Sequence, residues 1–198
     1  MHNNVYCLIH RTTIDNMKKI VKSGYLIPNR KDNKQLKMQV NYLSIIMKKN
    51  IKHTTDLLDD PNVKYMNNSI IFLFNPSFMK DQDYYINFPA LFGLVTNHTY
   101  ISPQLKQNIK DGKYKDFVED QKELGNKMKI PVSVESKITK KQITKILETH
   151  PKIWNELCVI HAIDIKKYLL AIMISKDIYN KHTKLFDKIK KSYKVIVL

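Results

Sequence analysis

The chain has 198 residues, 43% of them hydrophobic, which is enough for one domain around a real core. Lys and Arg number 34 against 18 Asp and Glu, a formal net charge of +16 that points to an anionic partner, with AT-rich coding bias as the plain alternative. Two cysteines, Cys7 and Cys158, argue against a disulfide framework or a paired zinc knuckle, and four glycines argue against a glycine-rich phosphate loop.

The first element is an apolar strand, Val5-Tyr6-Cys7-Leu8-Ile9, that ends on His10. Thr12 or Thr13 caps the helix that follows, Asp15 suits its first turn, and Ile14, Met17, Ile20 and Val21 recur at helical spacing. Gly24 ends that helix. After a polar loop, 39–47 reads as a strand with Tyr42 and Ser44 on one face, because side chains alternate. The charged stretch 48–68 reads as an insertion with a short helix around 55–58. Strand 69–75 is apolar throughout its centre, so both faces should be covered. The segment 84–100 reads as aromatic and irregular, with Pro89 and Gly93 as breakers. Helix is expected over 103–124 with an interruption near Gly112, a short strand over 131–135, and an amphipathic helix over 137–148. A strand over 156–163 opens on Glu156. Asp164 then caps a turn before a strand over 169–175, a helix over 176–191 and a strand over 195–198. Several strands follow short loops, so the pattern predicts an α+β fold with a split antiparallel sheet, one domain over 1–198.

Three strand-borne polar residues, His10, Tyr42 and Glu156, are far apart in sequence. Leu8-Ile9-His10-Arg11-Thr12 followed by Asn16-Met17, Ile20 and Gly24-Tyr25-Leu26 resembles the first motif of the ADP-ribosyltransferase superfamily, in its His–Tyr–Glu branch with the poly(ADP-ribose) polymerases. Asn41-Tyr42-Leu43-Ser44 is similar to the second motif, and Trp154-Asn155-Glu156-Leu157-Cys158-Val159 to the third. The resemblance spans the two ends of the chain, about half of it. Arg11 departs from the glycine of the first motif, and Trp154 stands where arginine-modifying members carry a second acid, which disfavours arginine modification.

The resemblance implies NAD as substrate in an NAD-type cleft between the sheet halves, and transfer of ADP-ribose to a macromolecule with release of nicotinamide. The transition state resembles an oxocarbenium ion, as in glycoside hydrolysis. Glu156 would stabilise that charge, His10 would bond the adenine-side ribose, and Tyr42 would stack on nicotinamide. Ser44 would bond the nicotinamide amide, Arg11 the pyrophosphate, and Thr12 belongs to the same cofactor-binding motif. No metal is implied.

A basic surface makes nucleic acid a candidate acceptor beside protein, although only Arg11 and Arg30 offer the bidentate fork that reads base edges. The rival is a non-enzymatic basic module that binds nucleic acid through Lys, on this or another α+β fold. The tRNA 2′-phosphotransferase branch is a third reading, and its further basic catalytic residues have no counterpart at matching positions. His53, His98, His150 and His161 have no metal-ligand spacing and read as solvated or satisfied. The cluster Tyr84, Tyr85, Phe88, Phe92 and Tyr100 reads as packing, with base stacking as the sharper alternative. No leader is read at the N-terminus, and no apolar run approaches the ~20 residues of a membrane span. The expectation is therefore an intracellular protein without a membrane partner, in cytoplasm or nucleus. The Lys, Asn and Ile bias fits an AT-rich genome such as that of a large DNA virus, and with it a virus-infected host cell. Oligomeric state does not follow from the sequence.

Overall fold

The computed structural model describes residues 1–28, 40–52, 56–59, 69–87, 94–132, 138–150 and 155–198. Strand β1 (Val5–Thr12) leads directly into helix α1 (Ile14–Ser23), whose first turn is capped by Thr13 accepting from the Asn16 N–H at 3.3 Å. Gly24 closes α1 at φ 79°, a left-handed conformation that costs glycine little. Strand β2 (Tyr25–Leu26) then pairs with β8 (Ile163–Asp164), away from the main sheet.

Among the described residues the main sheet has the order β10-β9-β4-β1-β3-β7-β5-β6. Its members are β3 (Asn41–Met47), β4 (Ile70–Phe74), β5 (Tyr84–Asn87), β6 (Tyr100–Ile101), β7 (Glu156–Val159), β9 (Leu169–Ile174) and β10 (Val195–Val197), with β1 at the centre. Neighbours run antiparallel except β9 and β10, which are parallel. Strand β3 joins two halves. Its C-terminal part, Ser44 to Met47, pairs with β1, while its N-terminal part, Asn41 to Leu43, pairs with β7. Beyond Ile9, β1 continues on β4 alone, so the sheet opens between β1 and β3. The α+β class and the split antiparallel sheet are as the pattern predicts.

The larger core covers one face. Leu8, Leu43, Ile45, Phe72, Phe74, Leu157 and Ile172 pack there against Met17 and Ile20 of α1, Ile143 and Leu147 of α5 (Lys140–Thr149), and Phe186 and Ile189 of α8 (Thr183–Lys190). Burying each such side chain stabilises by about 1.5–3 kcal/mol, and β4 is buried at every residue. On the opposite face, Cys7, Ile9, Ile71 and Met173 form a smaller cluster that includes Leu57 of α2 (Asp56–Asp59). Beside it, Tyr85, Ile101 and Cys158 pack against Leu105 of α3 (Pro103–Lys110) and Phe117 of α4 (Lys115–Met128).

Four expectations are corrected. The two ends of the segment expected to be irregular are strands: Tyr84–Asn87 is a buried strand and Tyr100–Ile101 its partner, because β7 supplies a ladder that local composition does not reveal, while 88–93 lies outside the described residues. The strand at Glu156 stops at Val159, and Ile163–Asp164 leaves for β2. The last helix is two, α7 (Lys176–Lys181) and α8, parted at His182 with φ −133°. Of the expected strand over 131–135, Val132 makes an isolated bridge to Thr96, and the remainder after it lies outside the described residues. Much of the expected insertion, together with Arg30, Phe88, Phe92 and Trp154, also lies outside them. Asp164 does cap a short helix, α6 (Ile165–Tyr168), by accepting from the Lys166 and Lys167 N–H groups.

Candidate active site on the β5–β7–β3 face

The strands that carry His10, Tyr42 and Glu156 are immediate neighbours, β1, β3 and β7. Register decides which face each side chain takes, since paired residues share a face. Tyr42 pairs with Cys158, and one step further Ser44 comes opposite Glu156. Glu156 in turn pairs with Asn87 on β5, and Asn87 lies one step beyond the Ile86–Tyr100 pair, opposite Thr99. One row of polar side chains, Thr99–Asn87–Glu156–Ser44, therefore crosses four strand positions on a single face. A second row, Tyr85–Cys158–Tyr42, lies beside it.

Asn155 sets this register at the critical point. It is buried, accepts from the Ile45 N–H at 2.7 Å and donates Nδ2–H to the Ile45 carbonyl at 3.3 Å. The side-chain amide thus stands in for a strand backbone and fixes the residue before Glu156 against β3. Glu156 is half-buried at the strand's mouth. Tyr85 is buried beside it, and burial first, then the neighbouring Cys158, Tyr42 and Glu156, pushes its phenol well above the usual range. Burial likewise pushes the Cys158 thiol up, so both groups stay neutral.

His10 is placed differently. It pairs with Phe72, which belongs to the larger core, so its register face is opposite to that of Tyr42, Ser44 and Glu156. Its ring reaches into the opening between β1 and β3, where Nδ1–H donates to the Tyr42 carbonyl at 3.0 Å. That bond fixes the tautomer and leaves Nε2 as an acceptor with no hydrogen-bond partner among the described residues. Packing around the ring lowers the His10 pKa below 6.5, the backbone bond opposing, so the ring is neutral at pH 7. Arg11 is exposed on the face of Ile9 and Ile71, and Thr12 is buried at the end of β1. The structure thus brings Tyr42, Ser44 and Glu156 onto one face and sets His10 at the strand edge between the two sheet halves.

Sequence reasoning missed Asn87, Thr99 and Tyr85 as members of this face. It also missed a second cluster at the other end of β5. There the buried Asp83 takes the Tyr114 hydroxyl and the Asn108 Nδ2–H, the latter at 2.8 Å, on one carboxylate oxygen. His161 Nε2 lies 2.6 Å from the Tyr114 oxygen and 3.6 Å from the carboxylate. Among the described residues no group of three or more His, Cys, Asp or Glu could hold a metal ion. Also among them, no helix is long and apolar enough to cross a membrane.

No family model and no curated protein matches the chain. Solved structures that resemble it include Thermus sp. 2.9 DarT in complex with NAD+, 11% identical, with 97% of this chain and 94% of that chain covered and a TM-score of 0.48. The same protein in complex with ADP-ribosylated ssDNA is 10% identical, with 97% and 93% covered and a TM-score of 0.49.

Proposed function

We propose that the chain transfers ADP-ribose from NAD to a macromolecular acceptor, nucleic acid or protein, and releases nicotinamide. The observation that supports this most is the row that sets Glu156 beside Ser44, with Tyr42 one step along the same face. These are the residues that the motif resemblance assigns to the work. The bond from ribose C1′ to the nicotinamide nitrogen breaks, and the electron pair leaves with nicotinamide. An acceptor nitrogen or oxygen then bonds C1′ and gives up its proton. Glu156 stabilises the positive ribose and orients its hydroxyl. Tyr42 covers the nicotinamide ring and Ser44 bonds its amide. Neutral His10 holds the adenine-side ribose by accepting a hydroxyl proton at Nε2, Arg11 meets the pyrophosphate, and Thr12 supports that end of the site.

The test is nicotinamide release from NAD by the full chain, alone and with single-stranded DNA, RNA and protein acceptors. Release that depends on acceptor and is abolished with Glu156→Gln supports the reading. No NAD binding and no release with any acceptor overturns it.

One observation favours the binding-module reading. A groove of about 760 Å³ between α1 and α8 is lined by Lys18, Lys22, Lys166, Lys188 and Lys194, with no carboxylate in its lining. Nucleic-acid affinity that falls steeply with salt and survives Glu156→Gln, without NAD turnover, would select that reading.

A further inference from the structure

Asn87 is 1% exposed and ends β5 between Thr99 and Glu156. The Thr99 hydroxyl accepts the Thr96 N–H at 2.9 Å, lies 3.4 Å from the Thr96 hydroxyl and donates to Asn87 Oδ1 at 2.9 Å. Asn87 Nδ2 is left buried without a hydrogen-bond partner. A buried donor left unmade is costly, so some acceptor is expected to meet it when the site works. The bond to Thr99 lies toward β6, and the cross-strand neighbour on the other side is Glu156. Side chains of such a pair start roughly 5 Å apart at Cβ, within reach of one turn of a glutamate side chain.

We propose that Asn87 is a positioning residue for Glu156: its Nδ2–H donates to the ionised carboxylate and holds it aimed into the cleft. The inference rests on Glu156 as the working carboxylate of the proposed NAD reaction. Thr99 orients the donor, Asn155 fixes the strand, and Asn87 holds the charge. Other titratable groups on this face include Tyr42, Tyr85 and Cys158, with Cys7 and Arg11 beyond them on β1 and Asp83, with Tyr114 and His161, at the far end of β5. Burial keeps Tyr85 and Cys158 protonated, so neither competes as a charge near neutral pH. A hydrogen bond to a carboxylate favours its charged form, so losing this one raises the pH at which Glu156 takes up a proton.

The experiment is titration of the Glu156 carboxyl by NMR in the full chain labelled at glutamate carboxyl carbons, with Glu156→Gln assigning the signal. In Asn87→Leu the midpoint should rise by about one pH unit, a tenfold gain in proton affinity, and Asn87→Ser, which keeps a donor, should recover part of it. The acid limb of nicotinamide release should move with it. An unchanged Glu156 midpoint in folded Asn87→Leu overturns the proposal, and is the result expected if a buried water satisfies Nδ2. Should Asn87→Leu not fold, Thr99→Val leaves Asn87 in place but frees the amide to turn. A smaller rise there supports the proposal, and no rise overturns it. Wild type that releases no nicotinamide overturns the NAD reading, while the titration still decides the role of Asn87.

Discussion

The two ends of β5 carry two carboxylates in opposite situations. Before its first residue, Asp83 is buried and one of its oxygens takes Asn108 and Tyr114, with His161 standing behind the Tyr114 hydroxyl. Beside its last residue, Glu156 is half-buried, and the neighbouring amide keeps a donor in reserve. The first arrangement is built from long-range contacts that brace α3 and α4 against the sheet. Each end leaves a buried polar atom without a hydrogen-bond partner, Asp83 Oδ1 at the first and Asn87 Nδ2 at the second, but only at the second does that atom stand beside a half-buried carboxylate at a strand mouth. Tyr114 underlines the contrast. It is a non-glycine residue at φ 59°, a conformation that costs about 1 kcal/mol or more, held for the sake of its place against Asp83 and His161.

The largest effect should separate the two carboxylates by activity. Glu156→Gln keeps size and removes charge, so nicotinamide release should fall by about 100-fold or more with NAD affinity and melting temperature nearly unchanged, as expected for an interaction made in the transition state. Equal turnover by the variant would break the comparison at its open end.

Asp83→Ala should do the reverse. It strips the partner from the buried Asn108 Nδ2 and leaves the Tyr114 hydroxyl with His161 alone, a loss of about 3 kcal/mol, or roughly 6–12 °C in melting temperature for a chain of this size. Turnover per folded molecule should stay within twofold of wild type. Tyr114→Phe keeps the ring, whose centroid lies 5.7 Å from that of His161, and deletes only the hydroxyl. It should cost about 1–2 kcal/mol, read by chemical denaturation. Either variant losing turnover without losing stability would make the Asp83 cluster part of the working site.

The contrast explains what the sequence could and could not say. The β1–α1–Gly24 unit was legible because strand, cap and stop sit in consecutive residues, and Thr13 and Gly24 do what their types dictate. Strand β4 was legible because Ile70 to Phe74 is apolar on both faces. Strand β5 was not: Tyr84-Tyr85-Ile86-Asn87 becomes a strand through pairing with β7, a partner distant in sequence. Of the Asp83–His161 pair only His161 drew attention, as a solvated or satisfied ring, because a carboxylate and a ring that far apart in the chain have no spacing to read. Tyr42 and Glu156 were recognised through motifs, and alternation fixed the shared face of Tyr42 and Ser44. The face of His10 depended on where β1 parts from β3, which is a matter of register and not of residue type.

His10 gives the smallest and most specific effect, since it belongs to neither end of β5. One nitrogen is committed to the Tyr42 carbonyl, the other is open, and packing lowers its pKa from 6.5. In the unfolded chain the same ring titrates near 6.5, so below that pH the unfolded state binds more protons than the folded one. Stability from this group is therefore fully present above pH 6.5 and is lost as pH falls through the folded value. His10→Gln retains an N–H for the Tyr42 carbonyl but has nothing to titrate. Its unfolding free energy, measured by urea denaturation between about pH 7 and pH 5, should decline less steeply than that of wild type. Parallel slopes would mean that the folded protein protonates His10 as easily as the unfolded chain does. The ring would then be solvated, and unable to serve as a fixed neutral acceptor at the edge of the cleft.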